Sequence, residues 1–104
     1  MEGLELVNKI DDVELEPIGT PPVHFLIRVI GSVRRSGYKM PLLIIKSTTP
    51  DRDGNLTYYF AAEPPVGGTP GNPIPIEARR SLDDLRGVRT LIFVSATNEV
   101  AKPI

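Results

Sequence analysis

The chain has 104 residues, 40% of them hydrophobic and 24% charged, with a formal net charge of −1 and no cysteine. That length supports one contiguous core, the composition is that of a folding chain rather than a disordered one, and the missing thiols exclude a disulfide framework and any thiolate metal centre. The 11 prolines and 9 glycines fall between apolar runs without a period, which is the punctuation of many short strands and turns, so a single β-rich domain over residues 1–104 is expected.

Residues 1–16 form an acidic segment, with Glu2, Glu5, Asp11, Asp12, Glu14 and Glu16 against Lys9. Leu4, Leu6 and Ile10 alternate as in a strand, although Leu4, Val7 and Ile10 also fit a helical stripe. The reading adopted is a strand, with a second short one at 13–16 that Pro17, Gly19, Pro21 and Pro22 end abruptly. The N-terminus lacks the basic and apolar regions of a signal peptide, and no apolar run approaches the roughly 20 residues that span a bilayer. A soluble, cytoplasmic protein is therefore expected.

Residues 23–33 give the clearest element. Val23, Phe25, Ile27, Val29 and Val33 share one parity while His24, Arg28, Ser32 and Arg34 fall on the other, the pattern of a half-buried strand. Residues 34–37 (Arg-Arg-Ser-Gly) then suit a turn, and 38–47 resume as an apolar strand with Pro41 near its start. Read together, the two strands form an antiparallel β-hairpin with a basic tip. The dense turn formers of 50–55 lead into a third strand over 56–62, as in a meander. Residues 63–73 hold three glycines and four prolines and are expected to be a surface loop, with 74–77 as a short edge strand.

One short helix is expected near 82–86, because Ser81 can cap it, Asp83 and Asp84 suit its positive end and Gly87 can terminate it. The run Leu91-Ile92-Phe93-Val94 is apolar at both parities, as in a central strand buried on both faces. Residues 97–104 are expected to trail away as a loose tail, with Val100 available to extend the strand. Short strands joined by Gly- and Pro-rich connections point to a small antiparallel β-sandwich, with a small β-barrel as the alternative.

The catalytic inventory is thin. His24 is the sole histidine and has no thiol to activate and no motif around it. Asp51-Arg52-Asp53-Gly54-Asn55 opens like a calcium loop, but Leu56 and Ala62 stand where that loop requires Gly and Glu, so the segment reads as a turn. Gly67, Gly68 and Gly71 are followed by neither the Lys-Ser/Thr pair nor the helix of a phosphate-binding loop. Neither a metal nor a cofactor is expected, and an enzyme, built on His24 with an Asp or Tyr brought near by folding, is the third reading behind two non-catalytic ones.

Charge is the informative feature. Against the acidic first 16 residues, 17–50 carry five bases (Arg28, Arg34, Arg35, Lys39 and Lys46) and no acid. Arg34, Arg35, Tyr38 and Lys39 at the hairpin tip, extended by Arg28 and Lys46, are the candidate binding residues, since basic side chains beside an aromatic can pair phosphates and stack on a base. Three explanations compete: neutralisation by the chain's own N-terminal segment, pairing with the acidic segment of a second copy, and an external anionic partner. The expected function is non-catalytic protein binding, as a homo-oligomer subunit or a small accessory or inhibitory factor. The alternative is binding of nucleic acid or a phosphorylated small molecule through the tip, with Arg79 and Arg80 added.

Overall fold

The structure, a computed structural model, describes residues 3–20 and 24–104. Glu2 of the acidic segment, Pro21 and Pro22, and Val23 of the expected strand lie outside the described residues. The described residues form eight strands: β1 (Glu5–Leu6), β2 (Lys9–Ile18), β3 (His24–Arg35), β4 (Lys39–Ile45), β5 (Asn55–Glu63), β6 (Pro70–Leu82), β7 (Thr90–Val94) and β8 (Glu99–Pro103). They build the expected small β-sandwich, in which a five-stranded sheet packs on a three-stranded one. No helix among the described residues is long and apolar enough to cross a membrane.

The three-stranded sheet is antiparallel, with β3 between β2 and β6. In the other sheet β5 is central. It pairs with β4 along one side, and its other side is shared by β7, parallel to residues 55–59, and β1, antiparallel to Ala61 and Ala62. β8 closes that sheet antiparallel to β7. The expected hairpin of the strands at 23–33 and 38–47 is corrected here: both sides of β3 are taken by β2 and β6, and β4 pairs with β5 instead. The basic turn carries the chain from one sheet to the other.

Proline placement explains most of the remaining differences. Pro17 lies in β2, Pro41 in β4, Pro70, Pro73 and Pro75 in β6, and Pro103 in β8, each strand on the margin of its sheet. β3, β5 and β7, flanked on both sides, contain none. Proline removes a ladder donor, which a marginal strand tolerates on its open side. Hence Pro17 does not end β2, which runs for ten residues. The expected loop gives way to β6 at Pro70, and the expected short edge strand is thirteen residues long. The expected loose tail is likewise corrected, because β8 pairs with β7 and Val100 packs against the core.

The expected helix is absent. Ser81 and Leu82 already pair with Leu26 and Phe25, so no cap remains for a helix to start from. The Asp84 carboxylate accepts from the Arg86 backbone N–H at 3.1 Å and holds its guanidinium at 2.8 Å, fixing a turn whose half-buried Leu85 and Val88 pack against the core. One turn of helix would not repay its own nucleation against these contacts.

Between the sheets lie Ile27, Val29 and Val33 of β3, with Tyr58 and Phe60 of β5 and Leu91 and Phe93 of β7, all nearly or fully buried. Tyr58 and Phe93 stack at 5.6 Å. Gly31 lets the layers approach: a Cβ there would overlap the Lys9 carbonyl oxygen and come within 2.8 Å of Phe60 Cε2, beside the bulge between Ile10 and Asp12. Asn98 clamps the same region by accepting from Ile10 N at 2.9 Å and donating to Ile10 O at 2.8 Å.

Candidate functional site

The candidate cations separate into engaged and free groups. Arg28, at the centre of β3, holds Glu14 of β2 at 2.8 Å and Glu77 of β6 at 2.6 Å. These contacts raise the guanidinium pKa, through Glu77 first and then Glu14, and the hydrogen bond from Arg28 holds the Glu77 carboxyl below its ordinary range. Arg35 lies 3.8 Å from Glu5, bonds to the Gly67 carbonyl at 3.1 Å and sits over the Tyr38 ring. Tyr38 in turn donates its hydroxyl to Glu5 at 2.9 Å. The acidic segment therefore does lie beside the basic one, through Glu5 and Glu14.

The two added arginines are also engaged. Arg79 pairs with Glu77 at 2.9 Å. Arg80 stands opposite the buried Ile27, on the core-facing side of β6, and emerges between the sheets to donate to the Leu43 carbonyl at 2.8 Å with its guanidinium over Tyr58. An inward charge at a sheet margin opposes unwanted strand pairing. Arg34, Lys39 and Lys46 are exposed, and no ion pair joins them to a carboxylate among the described residues. Lys39 and Lys46 lie near opposite ends of β4, about 23 Å apart along an extended strand, so the six candidates do not form one patch.

The turn at Asp51 is an internal device. Its carboxylate accepts from the backbone N–H groups of Asp53 and Asn55, both at 2.9 Å, and these bonds, that from Asn55 foremost, lower its pKa.

A second surface emerges only from the pairing. Leu43 and Ile45 of β4 face Phe60 and Tyr58 in the core, so Leu42 and Ile44 point away from it. Register then places Leu42, Ala61 and Leu6 in one row, Ile44, Tyr59 and Val94 in a second, and Thr57, Ile92 and Ala101 in a third. These rows are uncharged except at their ends, where Glu99 of β8 follows Val94 in the second and Lys46 flanks Thr57 in the third. Most of their residues are half-buried by their neighbours, with Leu42 39% exposed. Met40 and Pro41 form a bulge at the margin of this face, where Met40 is 65% exposed and adopts a left-handed φ of 50°. That conformation costs a non-glycine residue about 1 kcal/mol.

Sequence reading places Leu91 to Val94 between two layers. The chain itself supplies one: Leu91 and Phe93 are buried, whereas Ile92 and Val94 remain half-exposed. The signal for the open face was the apolar character of both parities in 42–45 and 91–94. Comparison with protein families, curated proteins and solved structures finds no match to this chain.

Proposed function

We propose that this chain is a non-catalytic protein-binding domain that docks through the outer face of its five-stranded sheet. The observation that carries the reading is the uncharged face running from Leu42 and Ile44 on β4, across Tyr59, to Ile92 and Val94 on β7. Contiguous apolar surface of this kind marks interaction sites, and the centres of protein interfaces are depleted of charge and enriched in tyrosine. Prolines on the marginal strands direct a partner to the face rather than to an edge. Binding of a phosphorylated ligand at the tip has less to draw on, since Arg28, Arg35 and Tyr38 already hold Glu14, Glu77 and Glu5.

The test is a photo-cross-linking amino acid placed at Tyr59, with Arg79 on the opposite outer face as the control position, in cells expressing the full chain. Adducts to protein are expected from position 59 and not from 79. Absence of any protein adduct at 59, or equal labelling at both positions, overturns the reading.

A further inference from the structure

The proposed docking face carries opposite charges on opposite margins. Lys46 follows Ile45 at the end of β4, and its N–H bonds to the carbonyl of Thr57, so it shares the outward side of Thr57. Glu99 stands opposite Val94 on β8 and so shares the outward side of Val94. Between them lie the uncharged rows, and Glu63, opposite Lys39 at the end of β5, is a further acid on the outward side. The face is therefore positive along its β4 margin and negative along its β8 margin.

Resting on the docking reading above, we infer that the partner is a second copy of this chain, packed face to face about a two-fold axis parallel to the strands. Such an axis lays β4 of one copy over β8 of the other and β5 over β7. Tyr59 then meets Val94 of the partner subunit, at the same level along the strands. Lys46 lies two residues along from the level of Glu99, an offset of about 7 Å that the two long side chains can bridge. A two-fold axis perpendicular to the strands instead sets β4 against β4 and β8 against β8, so that Lys46 of one copy approaches Lys39 of the other, beside Glu63, and no lysine lies over Glu99. Charge thus selects one symmetric arrangement over the other.

Size sets the expected strength. Four strands about 4.8 Å apart and about five residues long give a flat footprint of about 300 Å², well below the roughly 800 Å² of accessible surface that each partner buries in a standard interface. A reversible dimer dissociating in the micromolar range is expected.

Sedimentation velocity of the full chain from low micromolar to near-millimolar concentration tests this. A monomer–dimer transition is expected, weakened at least tenfold by Ile44→Lys. Lys46→Glu and Glu99→Lys should each weaken association by about tenfold through like charge, and the double variant K46E/E99K should recover most of the loss. That recovery separates a contact across the interface from damage to the fold. A strict monomer at the highest concentration overturns the inference, as does a double variant no better than the singles or an oligomer indifferent to Ile44→Lys. If the chain is monomeric yet position 59 still cross-links to another protein, self-association fails while the docking face stands.

Discussion

The two outer faces of the sandwich share one core yet differ in chemistry. On the three-stranded sheet, Glu14, Arg28, Glu77 and Arg79 form a continuous charged network across three strands, so that face carries its own counter-ions and is suited to water. On the five-stranded sheet, Ile44, Tyr59 and Val94 cross three strands without a charge. Charge pairing that satisfies one face internally leaves little for an external ligand, whereas an apolar row gains free energy only when something covers it. The docking face proposed above is thus the one that carries fewer conspicuous residues.

The largest effect should come from beneath both faces. Phe60→Ala removes a fully buried ring between the sheets and is expected to cost about 3–5 kcal/mol, read as a lower urea midpoint. Phe93→Ala should fall in the same range, while Val94→Thr, one residue on but facing outward, should cost less than about 1 kcal/mol and still impair association. Equal destabilisation by these two neighbours would abolish the distinction between core and open face.

Next, Asn98→Ala should cost about 1–3 kcal/mol, because it leaves the backbone N–H and carbonyl of Ile10 without their partner. Raised amide exchange in β2 is the second readout. The smallest effect concerns the charged face and pH. Because Arg28 depresses the Glu77 pKa, the contribution of this carboxylate is fully present above the ordinary glutamate value of 4.5 and is lost as pH falls through the depressed folded value. Stability should therefore decline as pH falls from 4.5 to the depressed folded value, with a shallower slope in Glu77→Gln. Association should not follow the titration of Glu77, which lies on the opposite outer face.

Much of the fold was legible from residue order. Ile27, Val29 and Val33 declare the inner side of β3, and the turn formers around Asp51 correctly join β4 to β5. Beyond the edge strand expected at 74–77, what could not be read was which strands are marginal, and that decides whether proline ends a strand. Pro17 and Pro70 look like breakers locally, but each lies on an open margin where a missing donor is harmless. The partner of β3 was hidden for a related reason: the short turn at 34–37 suggests a hairpin, while the competition of β2 and β6 for both sides of β3 is a long-range fact. At the site, Arg28 and Arg35 stand out in sequence as charges and prove to be engaged with Glu14, Glu77 and Glu5. Ile92 and Val94 do not stand out, since a strand apolar at both parities reads the same whether its second cover is its own chain or another.

The proline-bearing margins also govern how far assembly can proceed. A bare strand edge is open-ended, because each added chain presents a fresh edge and growth ends in a fibre. A face is used up once it is covered. On the proposed docking reading, margins blunted by Pro17, Pro41, Pro75 and Pro103 close a route to polymers, and the apolar face leaves one to closed complexes of fixed size.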